Sequence, residues 1–489
     1  MGIFAEWRER YGFIKLLVNA QKTIWYPILF AILCIISGVN NYTVYIPIMW
    51  GLVAIVLFSI LFTDDHKVFF PPLCMIFFAL GSDAAKDAFY KTNGDFLANM
   101  HPSALGHIIA MGIIAVGAFL VRLILDGSIA AAFQKKRHFT FGIIAMDIAL
   151  LLNGIFSPSY DIANLGFGAM TAAVLTLVYF VVCGMIEKSS EPIKYACISM
   201  LCASYVALIQ ILIVIYRLNL VGLYYTKYTT FVYINRNAIT LGWGVSTVIG
   251  AVFVAAIPAA MYLASNHKAS LISFLSCPVL ILGTVLIASR GSMLFGAIIF
   301  MVLSILCCIK GRNKIAIRIY VSILACMAIG VGMFVISKRP DLLSGLERTF
   351  RLSLNSDSGR NELWNNGIAD FLRQSIFGVG FADGGYPAEL QNNNFYSNMY
   401  HCILVQWLGA MGIIGAIAFL WHMADNLRLI LKNFSLNKLL LLGVPMTIIV
   451  MSLVDNFFFY PHFQIFYAIF LSLAEYLHNS STKLNQGAT

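Results

Sequence analysis

The stretch KRPDLLSGLERTFRLSLNSDSGRNELWNNGIADFLRQSIFGVGFADGGYPAELQNNNFYSNMYH, residues 338–401, is the long polar segment of a sequence that is otherwise soluble mainly in lipid. A connection of roughly 60 residues between two apolar runs far exceeds the usual loop of about 4–6, so it reads as a functional domain and not a spacer. The apolar runs on either side set the fold class. The chain of 489 residues is 60% hydrophobic and only 11% charged, with a mean hydropathy of +0.83. Such values exclude an ordinary soluble globular domain and point to a polytopic membrane protein.

A bilayer core takes about 20 apolar residues per helix, and runs of that kind number about 14. They fall near residues 23–39, 45–62, 67–81, 104–125, 139–156, 164–186, 194–216, 238–263, 270–288, 291–309, 315–336, 402–421, 438–454 and 462–477. The third is short and carries Pro71 and Pro72, which predicts a tilted or re-entrant segment. The expected fold is therefore all-α: an integral-membrane helix bundle with a large, partly helical external loop. Four regions follow: helices over 1–216, helices with a basic loop over 217–336, the polar loop at 337–401, and C-terminal helices with a tail over 402–489.

Lysines and arginines orient the bundle. With the N-terminus inside, the cytoplasmic connections are TDDHK, QKKRH, EKSSEPIK, SNHKAS, KGRNKIAIR and DNLRLILKN, most of them basic as the positive-inside rule requires. The net charge of +10 is then a matter of topology and anionic lipid, and no basic module for nucleic acid stands out. An even span count returns the C-terminus to the cytoplasm and leaves 337–401 outside. The basic start, with Trp7, Arg8, Arg10, Lys15 and Lys22, leads into a full span without a processing site. The ten cysteines fall mostly in apolar runs and lack metal-ligand spacing, so they read as small core residues.

Cations on the outer side run against the positive-inside rule and call for an anionic ligand. Arg217, Lys227 and Arg236 lie in RLNLVGLYYTKYTTFVYINRN, residues 217–237. Arg290, in LIASRGSML, sits at the hinge between two spans; a guanidinium at that depth is costly, and phosphate is its natural bidentate partner. Arg360, in SDSGRNELWNNGIADFLRQ, falls in the first turn of a helix that Ser358 can cap, where backbone N–H groups also favour an anion. Trp364, Ile368, Phe371 and Leu372 give that helix an apolar side along the membrane surface. Gly378, Gly380, Gly384 and Gly385 follow as a flexible turn. His401 opens the next span, and a helix N-terminus disfavours imidazolium, so a neutral ring able to accept a proton is expected. Asp147, in FGIIAMDIAL, is the clearest deep intramembrane charge and is expected to pair inside the bundle.

An SRG arginine between two spans, a long external loop with an SGR-x3-W helix and a G-x-G-F turn, and a histidine opening the next span together resemble the bacterial O-antigen ligase and O-antigen polymerase superfamily. The resemblance spans about residues 240–420, with Cys402 where asparagine usually follows the histidine. It implies an all-helical membrane glycosyltransferase of the C type, sited in the bacterial inner membrane. The donor would be a glycan on undecaprenyl pyrophosphate, and the acceptor hydroxyl another glycan at the outer face. Transfer would proceed with inversion, without metal or cofactor. By the same resemblance Arg290 and Arg360 would hold the pyrophosphate and His401 would be the general base, with Arg236 a third phosphate contact. A chain-length regulator would be a further partner. A polymerase is favoured over a ligase; a lipid-linked oligosaccharide flippase is the rival from another class, and its cavity would need more charge along the helices than this chain carries.

Overall fold

The computed structural model describes residues 2–81, 102–134, 137–157, 162–217, 239–338, 360–380 and 399–486. Lys227, Arg236, Ser358, Gly384 and Gly385 lie outside the described residues. Among the described residues the regular structure is helical apart from one pair of two-residue strands, Thr240–Leu241 with Gly244–Val245. Among the described residues eight helices are long and apolar enough to cross a membrane, and the bent pair Gly12–Gln21 and Trp25–Gly38 adds a ninth. Four apolar helices are shorter: His66–Ala79, Thr140–Phe156, Ser270–Leu286 and Leu436–Met451. With the helix Pro461–Gln486, all fourteen expected segments fall on helix.

The chain divides into two compact units. The first comprises Met1–Gln134 and Cys183–Thr349. Its axis is the helix Ser246–Asn266, whose apolar stretch is 94% buried. Alanines 251, 255, 256, 259, 260 and 264 are all buried on it, and small side chains let neighbouring helices approach closely where no hydrophobic effect drives them together.

The segment with Pro71 and Pro72, expected to be tilted or re-entrant, is a succession of a 3-10 turn His66–Phe69, a helix Phe70–Met75 and a second 3-10 turn Ile76–Ala79. Breaking a helix frees carbonyls that need donors away from water. Gln210 supplies one by donating Nε2 to Phe78 O (2.7 Å) and Cys34 O (3.0 Å), and Ser37 Oγ donates to Ala79 O. Gln210 Oε1 in turn accepts from the Trp243 indole at 3.0 Å. That bond ties the broken segment to the strand pair.

The start of the eighth segment differs from expectation. The span read from residue 238 begins as helix only at Ser246. Gly242 explains the delay, because a Cβ there would stand 2.5 Å from Leu80 O; the chain approaches the Leu80–Gly81 backbone as a tight turn before the helix starts.

The second unit comprises Lys135–Val182 and Phe350–Thr489. Glycines again set the close contacts. Gly154 lies against the Leu165 backbone, Gly168 against Leu150 O, and Gly142 against His422. Asp147 accepts a hydrogen bond from Thr176 on the neighbouring helix, the pairing expected for a charge at that depth. Tyr179 likewise donates to the buried Glu475.

Candidate functional site

The helix Arg360–Arg373 docks on the short helix Ile403–Gly409 through glycine. A Cβ on Gly367 would lie 2.3 Å from Val405 Cγ1, and one on Gly409 would lie 2.7 Å from Gly367 O. The buried side of the first helix is therefore Leu363 and Gly367, while Ile368 and Leu372, from the side expected to lie along the membrane surface, stay 52% and 72% exposed. That leaves an apolar face free for lipid, as the surface-lying reading asks. Tyr400 Oη adds a bond to Asp370 Oδ2 at 2.7 Å.

The helix Ile403–Gly409 is also fastened at its start. Ile403 N donates to Ser452 O at 2.8 Å, and Ser452 Oγ accepts from Phe458 N at 3.0 Å. Gln406, fully buried, accepts at one oxygen from both Tyr400 N and Asn456 Nδ2, each at 3.0 Å. The residue before His401 and the residue after Asp455 thus share one acceptor. These ties hold His401 at φ +52°, a left-handed conformation that costs a non-glycine residue about 1–3 kcal/mol and persists only where the surroundings over-determine it.

So held, His401 Nδ1 stands 2.8 Å from Asp455 Oδ1, and Asn456 N donates to the same oxygen at 2.8 Å. An ionised carboxylate only accepts, so Nδ1 carries the proton and Nε2 is left as an acceptor. The imidazole is 30% exposed and its partner carboxylate 12%. Burial pushes the His401 pKa down, the charge and hydrogen bond of Asp455 push it up, Arg360 lowers it, and the net shift is upward. Burial pushes the Asp455 carboxyl up, but His401, the Asn456 N–H and Arg360 hold it below the usual carboxylate range.

This corrects the electrostatic expectation for His401. The helix it precedes has only seven residues, and a buried carboxylate outweighs so short a dipole. Asp455 was missed because it stands 54 residues after His401, beyond two apolar runs. The signal available was an acid, followed by an asparagine, opening the connection between the last two apolar segments.

Arg360 is the first residue of its helix, where the sequence put it, and its charge bears on both members of the pair. Arg360, His401 and Asp455 therefore belong to one constellation in the second unit. Arg290 belongs to the first unit, as the first residue of Arg290–Lys310. Ala288 at φ +52° makes the turn before it, and the cap Ser289 turns its hydroxyl to Ser292 Oγ at 2.8 Å and not to the helix N–H groups. The Arg290 Nε is buried and has no hydrogen-bond partner among the described residues. A guanidinium at an uncapped helix start suits an anion. Arg217 ends the helix Pro192–Arg217, is exposed, and donates Nη1 to Val39 O, so part of its fork already serves the backbone.

Residues 275–420 match the family model described as O-antigen ligase. The matched stretch holds Arg290, Arg360 and His401, while Asp455 falls beyond it. The match bears out the resemblance to the O-antigen ligase and polymerase superfamily. No curated protein matches the chain.

Proposed function

We propose that this protein is a polymerase of bacterial surface polysaccharide, moving a growing glycan from undecaprenyl pyrophosphate to a hydroxyl of the next lipid-linked unit. The observation that carries the reading is the His401–Asp455 pair with Nε2 left to accept, within the electrostatic reach of Arg360.

In one displacement the acceptor oxygen attacks the anomeric carbon and its proton passes to His401 Nε2. The bond from that carbon to the phosphate oxygen breaks with inversion, and undecaprenyl pyrophosphate leaves as the anion. Asp455 holds the tautomer and stabilises the imidazolium, as a carboxylate behind a catalytic histidine does. Arg360 offsets the charge growing on the leaving group, and Arg290 is the second such cation by the family pattern. Two fixed guanidinium groups supply the charge that other diphosphate chemistry takes from a metal. The setting is the inner membrane, with both termini cytoplasmic and the chemistry at the outer face.

The matched family's description favours one second reading, a ligase that transfers the glycan to a final acceptor. The test is the reconstituted full-length protein with undecaprenyl-pyrophosphate repeat units and a chelator. The polymerase gives a product ladder from donor alone, lost in Arg360→Ala, Arg290→Ala and His401→Ala proteins that remain folded. Product only after a distinct acceptor is added means the ligase. Movement of donor across the bilayer with no transfer overturns both in favour of a flippase.

A further inference from the structure

Tyr400, the residue before His401, is fully buried, and its ring packs against two glycines, one from each helix of the site. A Cβ on Gly367, in the helix Arg360–Arg373, would stand 3.0 Å from Tyr400 Cδ1, and one on Gly409, in Ile403–Gly409, would stand 2.9 Å from Tyr400 Cε2. Both ends of the residue are tied. The backbone N donates to Gln406 Oε1 at 3.0 Å, and the hydroxyl donates to Asp370 Oδ2 at 2.7 Å. The other Asp370 oxygen pairs with Arg373 Nη2 at 3.1 Å.

Glycine contacts set how closely two helices approach, but glycine has no side chain to interlock and does little to stop one helix sliding along the other. A directional bond at the far end of a rigid ring does stop it. Asp370 and Arg360 belong to one helix, so a tether on the first fixes the position of the second. A slip of one residue would carry Arg360 about 1.5 Å along the axis.

We propose that Tyr400 is a positioning residue: its hydroxyl, bonded to Asp370, sets the register of the Arg360–Arg373 helix against His401. Its effect on rate rests on the glycosyl-transfer function proposed for the site. Among the described residues the charges that bear on His401 are Asp455, from the connection before Phe457–Phe459, and Arg360, from the helix; Asp370 and Arg373 pair with each other. Burial and Arg360 lower the proton affinity of His401 while Asp455 raises it, so a helix free to slide, which holds Arg360 less close, leaves that affinity higher.

The test uses the full-length protein in nanodiscs and two readouts. One is transfer from undecaprenyl-pyrophosphate repeat units, with and without a distinct acceptor. The other is the pH dependence of acylation by diethyl pyrocarbonate, which attacks neutral imidazole, followed on the peptide carrying His401 by mass spectrometry; it needs no activity. Tyr400→Phe keeps the ring and its packing, and should cut kcat/KM by about 10-fold to 10²-fold, the cost of a misplacement near 1 Å, and move the acylation curve to higher pH. Asp370→Asn keeps an acceptor for the hydroxyl and should match wild type in both readouts. Asp370→Leu should repeat Tyr400→Phe, and the double variant should lose no more than either single one. The proposal is overturned if Tyr400→Phe behaves as wild type, if its rate falls with the acylation curve unmoved, or if Asp370→Asn fails as Asp370→Leu does. A wild type without transfer activity, whose acylation curve still moves in Tyr400→Phe, sinks the transferase and leaves the register role of Tyr400 standing.

Discussion

Asp455 sets two properties of His401, its tautomer and its affinity for protons, and substitution separates them. A general base works while neutral, so an upward-shifted pKa places the acid limb of the rate profile above the ordinary imidazole value of 6.5. In Asp455→Asn the upward push is gone, while burial and Arg360 still act downward. The acid limb of kcat should therefore move to lower pH even as the maximal rate falls. His401→Ala should lose about 10²–10⁴ in rate at every pH, the usual contribution of a positioned base. A pH profile of the two proteins distinguishes these outcomes, and an unmoved limb in Asp455→Asn would remove Asp455 from the mechanism. Arg290 and His401 were conspicuous in the sequence as polar residues at the edges of apolar runs, and Arg360 as the start of a helix within the polar stretch. Asp455 was not, since nothing local links it to a histidine 54 positions earlier.

The elements around the site are held by glycine contacts and captured carbonyls, where small changes have large effects. Gly367→Ala would force a Cβ to within 2.3 Å of Val405 Cγ1, an overpacking worth about 1–3 kcal/mol. Thermal unfolding in detergent should show a lower Tm, with activity lost in proportion to the displacement of His401. Asn153 donates Nδ2 to Phe377 O at 3.0 Å and to Ala410 O, clamping the turn after Arg360–Arg373 to the break before Gly412–Leu431. Asn153→Leu leaves Phe377 O without that donor, while Ala410 O keeps Gly380 N, and should lower Tm by the equivalent of about 1–3 kcal/mol. A Tm equal to that of the wild type would show that water replaces the amide. Helix existence was readable from apolar length. Start points were less so: the strand pair before Ser246 arises from the close approach of Gly242 to Leu80, a tertiary contact.

At the scale of the whole molecule the proposed mechanism gives one task to two guanidinium groups, Arg290 and Arg360, by the family pattern. If both stabilise one leaving group they act as a set, and residues that act as a set are not additive. Each single alanine variant should lose about 10²–10³ in kcat, as for a lost transition-state donor. The double variant should lose little more than the worse single. A double loss equal to the product of the two would assign the arginines to separate tasks.

The sequence by itself determined the membrane class, the fourteen helical segments and the helix that starts at Arg360. All of these follow from hydropathy and from polar residues standing out against lipid-soluble runs, which are local properties. Tertiary structure alone decided that His401 has a carboxylate partner, that Gln406 locks the backbone on both sides of that pair, and which side of the Arg360–Arg373 helix is buried. The reason is that hydrogen bonds and close glycine contacts join residues by proximity in space, and apolar periodicity carries no record of which helix ends lie side by side.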